Sequence, residues 1–218
     1  MSNPAPTPSA TIILLRERAH LEVFLARRNS KVNFGGLFVF PGGAIEEPDA
    51  KLADQQNVDT TSNQEWPENL YRLAAIRELY EETGILLASD ANSSAEDLTN
   101  LREKKSDFNA LCQQHNWRLQ WQELYYFSRW VTPKQAPRRY DTRFFICHVQ
   151  QESHCQLDGK ELIECHWISP LCALKKNETG VFPMIRPTLH TLQQLTKLQS
   201  IDQLPEFIKQ ESGQSFFP

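Results

Sequence analysis

The sequence predicts a single α/β domain over residues 1–218, in which a mixed β-sheet is covered by helices. Three observations carry this. Strand-like runs lie on either side of two helical regions. One helical segment, ending near residue 83, has both clear periodicity and end signals. The chain, at 218 residues, is long enough for one well-buried domain with decorations.

Ala10 to Leu15 is a short apolar run and reads as a buried strand. Leu21 to Arg27 partly alternates and pairs with it as a hairpin. Phe34 to Phe40 is aromatic and glycine-rich, entering a further strand. Residues 48–66 are polar with little periodicity, a loop with one helical turn. A helix follows at 67–83, where Leu70, Leu73, Ala74 and Ile76 recur at helical spacing. Pro67 stands at its first position and Gly84 at its left-handed cap. Ile85 to Leu87 opens the next strand or loop. Residues 94–116 are helical, with Ser93 as N-cap and Glu96 three residues on, and a second segment begins at Asp107. Leu119 to Val131 is β-prone. Arg138 to Thr142 leads into a strand over Arg143–Val149. Leu157-Asp158-Gly159-Lys160 is a turn, Glu161 to Ile168 a strand, and Ser169-Pro170 the start of a helix. Two more helices lie near 187–197 and 204–210.

Hydrophobic content of 40% and charged content of 23% are ordinary for a globular protein. A net charge of −4 argues against a general nucleic-acid binder and leaves small anionic ligands open. Cys112, Cys147, Cys155, Cys165 and Cys172 form no CxxC pair, as expected of reduced thiols in a cytoplasmic protein. The histidines have no metal-ligand spacing; His148 and His154 belong to a strand and the turn after it. No apolar run approaches a membrane span, so no membrane partner is expected. MSNPAPTPSA lacks the regions of a signal peptide, and residues 1–9 read as a flexible tail.

The chemistry concentrates in Ala74-Ala75-Ile76-Arg77-Glu78-Leu79-Tyr80-Glu81-Glu82-Thr83-Gly84-Ile85. Glu78, Glu81 and Glu82 share one side of the helix, and each like-charged pair costs roughly 0.2–0.5 kcal/mol on an isolated helix. They also crowd the C-terminal end, where the macrodipole disfavours anions. Either this is a solvated acidic face or a cation is missing. Hard oxygen ligands point to Mg²⁺ or Mn²⁺. Upstream, Phe40-Pro41-Gly42-Gly43-Ala44-Ile45-Glu46-Glu47-Pro48-Asp49 contains a Gly-Gly pair that lets the backbone approach a ligand closely.

Together these two pieces resemble the Nudix box of the MutT-like hydrolases: a glycine, five residues, a glutamate, seven residues, then R-E-U-x-E-E-x-G-U with U aliphatic. Gly43 fits the glycine, and Arg77 to Ile85 fits the second half throughout. The first acid is Asp49 rather than Glu, and it lies 28 positions before Arg77 instead of eight, so about 20 residues are inserted. The resemblance implies an α/β/α sandwich with residues 48–66 and 94–116 as insertions. Residues 50–64 are expected to form a surface excursion that leaves Gly43 beside the carboxylates.

The resemblance further implies hydrolysis of a nucleoside diphosphate linked to another moiety. Glu78, Glu81 and Glu82 would hold the metal with the Gly43 carbonyl. Arg77 would orient the glutamates by a bidentate pair, and Asp49 would support loop and helix. The general base would be Glu78, Glu161 or Glu164. Arg27, Arg28, Arg138 and Arg139 are candidate phosphate contacts or ordinary surface charges. The aromatic-rich stretch from Trp121 to Trp130 offers a face for a base. The split box, Arg129-Trp130-Val131-Thr132-Pro133 and Arg138 to Phe145 are similar to the Nudix branch with peroxisomal coenzyme A diphosphatases. Arg27, Gly36 and Phe40 to Gly43 also match a coenzyme A signature of other Nudix enzymes, whereas Val32 and Phe34 stand where its second Arg and its His belong. Coenzyme A or an acyl derivative is the leading expected substrate. ADP-ribose, an NADH-type dinucleotide and a non-catalytic nucleotide-sensing role remain alternatives, as does a homodimer.

Overall fold

The strand β1 (Thr7–Glu17) has Ile12, Ile13, Leu14 and Leu15 all fully buried. Successive strand residues point to opposite faces, so a continuous buried run requires cover on both sides. The computed structural model describes residues 5–59, 67–89, 92–150 and 155–217. After β1 come β2 (Leu21–Arg28), β3 (Phe38–Val39), β4 (Gly42–Ala44), α1 (Glu47–Gln55) and α2 (Glu68–Thr83). Next are β5 (Ala88–Ser89), α3 (Ala95–Arg102), α4 (Phe108–His115), β6 (Arg118–Leu119), β7 (Tyr125–Val131) and β8 (Tyr140–His148). The chain continues through β9 (Leu162–Ile168), α5 (Pro170–Glu178), α6 (Arg186–Leu195), α7 (Leu204–Glu211) and β10 (Gln214–Phe216).

The main sheet is mixed, in the order β10-β7-β8-β1-β2-β3, with β4 on β1 and β9 on β2. β1 runs parallel to β8 from Thr7↔Tyr140 to Leu15↔His148. Its other edge is shared: β4 pairs at Ser9–Thr11 and β2 at Leu15–Glu17. Ala10, Ile12, Leu14, Phe24 and Ala26 pack under α2, whereas Ile13, Leu15, Val23 and Leu25 pack under α6 and α7 with Leu192, Leu195 and Phe207. This is the expected α/β/α sandwich.

Several local expectations are corrected. The tail over residues 1–9 is shorter, because β1 already begins at Thr7. Residues 1–4, 60–66 and His154 lie outside the described residues. Pro67 is the N-cap of α2 rather than its first residue, and Gly84 caps it at φ 72°, donating to Tyr80 O at 2.8 Å. The N-cap of α3 is Ser94, closed by Asp97 rather than Glu96.

The largest correction concerns residues 50–64. Their described part is no surface excursion. α1 buries Leu52 and Ala53, and Val58 follows them into the core. α1 also joins the second insertion: Asn109 Nδ2 donates to Pro48 O at 2.8 Å, and Gln56 bonds both Trp117 O and Leu119 N at 2.9 Å. Beneath lie Tyr80, Phe108 and Trp117, all buried, with Tyr80 and Trp117 edge-on at 5.6 Å. The described parts of the two insertions are therefore one packed body against the outer side of α2. Leu52→Ala should cost about 2–5 kcal/mol, measured by denaturant unfolding; a change under about 0.5 kcal/mol would mean α1 is merely a surface element.

Candidate active site

Arg77 organises the site. It is buried, projects from α2, and grips Asp49 with two parallel bonds, Nε–Oδ1 at 2.8 Å and Nη2–Oδ2 at 3.1 Å. Nη2 also donates to Ala44 O at 3.0 Å, and Nη1 to Glu78 Oε1 at 2.8 Å and Glu81 Oε2 at 3.2 Å. Burial alone would disfavour the guanidinium charge, but the bond to Asp49 and the fields of Glu78, Asp49 and Glu81 outweigh it. The expected bidentate pair exists, but its partner is Asp49; the glutamates each receive one bond. Asp49 in turn accepts from Glu46 N at 2.8 Å, fixing the first turn of α1.

The two halves of the split motif meet at β4. Gly42 N donates to Glu82 Oε2 at 3.1 Å. Gly43 lies directly against the Glu78 carboxylate, in space that any Cβ would have to share with it. A side chain at Gly43 would have to displace that carboxylate, and at Gly42, with φ 152°, it would collide with the backbone of Ala10 and Thr11.

Arg77 compensates Glu78 and Glu81 in part, but Glu82 is poorly compensated. Glu82 is buried, with Arg28 Nη1 no closer than 3.7 Å to its Oε1, and that oxygen has no hydrogen-bond partner. Burial, then repulsion from Glu78, hold its carboxyl well above the ordinary range. Burial likewise lifts Glu78 to about 7, against the pull of Arg77. Glu81 is also raised by burial, and Arg77 offsets part of this. Among the described residues, no three Asp, Glu, His or Cys side chains form a ready-made metal cage. Arg77 draws Glu78 and Glu81 its way while Glu82 reaches Gly42, so the three do not converge as expected. An orphaned buried carboxylate oxygen and two repelling acids nevertheless fit a hard divalent cation.

Glu78, Gly42 and Gly43 open onto a cleft of about 1110 Å³, whereas Glu81 and Glu82 do not line it. Arg28, Arg138, Glu78, Gly43 and Glu161 line it; Arg27 and Arg139 do not. Arg28 Nη2 pairs with Glu161 Oε2 at 2.8 Å. Arg27 turns instead to Glu164 at 3.5 Å, and Glu164 to His166 at 2.7 Å, away from the cleft. Arg139 Nε donates to Thr132 O at 3.3 Å. Arg27 and Arg28 are adjacent in β2 and face opposite sides, so one of them was bound to miss the cleft. Lys31, Arg186, Phe216 and Phe217 also line it and were not anticipated. A net-acidic chain thus presents a cationic rim around an acidic floor.

A family model described as the NUDT19 Nudix domain matches residues 50–195. The chain belongs to this Nudix family. It is 28% identical over 242 residues to an acyl-coenzyme A diphosphatase NUDT19 of Xenopus laevis, covering 88% of this chain and 64% of that protein. It is 24% identical over 192 residues to the protein of that name from Homo sapiens, covering 79% and 51%. The chain thus spans less than two thirds of the length of these relatives. A crystal structure of a Nudix hydrolase from Alicyclobacillus acidocaldarius superimposes with a TM-score of 0.81 at 25% identity, over 100% of both chains.

A carboxyl held above its ordinary pKa favours folding when protonated, so this stability is present at low pH and is lost as pH rises through the folded value. For Glu78, that window runs from 4.5 to about 7. Without metal, Glu78→Gln should match wild type near pH 5 and exceed it near pH 8 by up to about 3 kcal/mol. Chemical denaturation at both values checks this; a pH-independent difference would contradict it.

Proposed function

We propose that the chain is a divalent-cation-dependent pyrophosphohydrolase acting on a bulky nucleotide conjugate, with coenzyme A or acyl-coenzyme A the preferred class. The observation that carries this reading is the buried Glu82, whose Oε1 has no hydrogen-bond partner, beside Glu78, Gly42 and Gly43 at a cleft edged by Lys31, Arg138 and Arg186. A stability-driven fold would not retain such a group without a ligand, because a buried carboxylate oxygen with no partner is costly.

A cation held by Glu78, Glu81 and Glu82 with the Gly43 carbonyl, Mg²⁺ or Mn²⁺ by donor chemistry, would neutralise phosphoryl oxygens and acidify a bound water. The chain's own residues do the rest. Arg77, locked to Asp49, holds Glu78 and Glu81 in place. Arg28 steadies Glu161 at the cleft wall. Glu161 takes the proton from the attacking water, one oxygen–phosphorus bond forms, and the pyrophosphate bridge breaks, leaving two phosphorylated products. Arg138, Lys31 and Arg186 receive anionic groups of the substrate. The substrate class rests on the NUDT19 relatives' names. A cytoplasmic location is consistent with five free thiols, and no helix among the described residues is long and apolar enough to cross a membrane.

Glu82→Gln and Glu161→Gln should each lower kcat by about 100-fold or more, while Glu164→Gln stays within about threefold of wild type. Phosphate release from coenzyme A, ADP-ribose and NADH under one set of metal conditions ranks the substrates. Coenzyme A more than about tenfold below either competitor in kcat/KM would overturn the substrate class. No turnover of any of the three, with ligand binding retained, would replace hydrolysis by nucleotide sensing.

A further inference from the structure

β10 is a three-residue strand laid parallel along the outer edge of β7, with Gln214↔Ser128, Ser215↔Arg129 and Phe216↔Trp130 in register. It is tied at several points. Gly213, at φ 82°, donates to Phe127 O at 2.9 Å. Gln214 contacts His190 at 3.4 Å, and Ser215 bonds the Tyr126 hydroxyl. The consequence is aromatic. The Phe216 ring stacks on Trp130 at 3.9 Å and 16°, and His190 stands edge-on to both, at 4.7 and 5.6 Å. Trp130, Phe216 and Phe217 all line the cleft that contains Glu78 and Glu161.

Two further aromatic side chains on this cleft are left in water. Phe217 is 62% exposed, with the Arg129 guanidinium 5.3 Å from its ring. Phe34 is 46% exposed and sits at φ 58°, a left-handed conformation that is unfavourable for a bulky residue. A fold gains little by keeping a strained phenylalanine in solvent, so a ligand is the economical reason for it.

We propose that Phe216, stacked on Trp130 and positioned by β10, is the specificity-determining wall that receives the nucleobase of the substrate. This rests on the pyrophosphohydrolase reading for the identity of the ligand. A planar heteroaromatic base gains from a flat aromatic wall, typically about 1–3 kcal/mol per stacked base. A flexible aliphatic arm would have to give up rotamer freedom to lie against the same surface. The assignment sets the polarity of the bound substrate: its nucleoside half lies toward β10 and β7, with the pyrophosphate toward Glu78 and Glu82.

The two halves of coenzyme A separate this from the catalytic reading, because binding them needs no turnover. Calorimetric titration of wild type with adenosine 3′,5′-bisphosphate and with 4′-phosphopantetheine is repeated on Phe216→Ala and Phe216→Tyr. The expected result is about tenfold or more weaker binding of the adenosine bisphosphate to Phe216→Ala, recovery in Phe216→Tyr, and unchanged binding of phosphopantetheine. Circular dichroism verifies that both variants are folded. Equal weakening of both ligands, selective loss of phosphopantetheine, or no change in either would each overturn the proposal. If the adenosine half binds as expected but no conjugate is hydrolysed, the wall stands and the hydrolytic reading fails.

Discussion

The site depends on one buried ion pair. Arg77 and Asp49 are almost without solvent contact and meet through two parallel bonds. Charges at such depth are costly to desolvate, and only good geometry with further bonds offsets that cost. Both partners have them: Arg77 also reaches Ala44 O, Glu78 and Glu81, and Asp49 accepts from Glu46 N. The pair joins α1 to α2 across the inserted stretch, and it brings β4 to the carboxylates. A contiguous motif would hold its ends together by a short loop; here an ion pair does so.

The insertions contribute to the site as well as to the core. Crowding acids at the end of α2 works against the helix dipole, and the sequence of α2 itself supplies no cation in its last turn. The missing charge arrives from α3, where Arg102 Nε donates to Glu81 O at 2.9 Å. Tyr80, on the face of α2 opposite the carboxylates, is clamped by Phe108 and Trp117 from the second insertion. The helix is thus supported from outside while its inner side carries repelling acids next to Gly43.

The fold class and the acidic helix were legible because their signals are local and contiguous: a buried apolar run at Ala10–Leu15, helical spacing through Leu70–Ile76, and a glycine cap at Gly84. The burial of α1 was not legible, because Leu52, Ala53 and Val58 are few and scattered among polar residues, and their partners lie near residues 109–119 in the chain. β10 was missed for a different reason: three residues carry no measurable periodicity, and its strand identity comes from pairing with β7. The arginine pairs were partly legible. Strand alternation alone would have separated Arg27 from Arg28, though which of the two faced the cleft required the register with β9.

The Arg77–Asp49 pair, rather than chain connectivity, holds the two halves of the site together. A double-mutant cycle with Arg77→Met, Asp49→Leu and the combined variant, followed by denaturant unfolding, measures it directly. The expected result is single losses of about 3–5 kcal/mol each and a double variant far better than their sum, a coupling of about 2 kcal/mol or more. Additive losses, with coupling below about 0.5 kcal/mol, would contradict it.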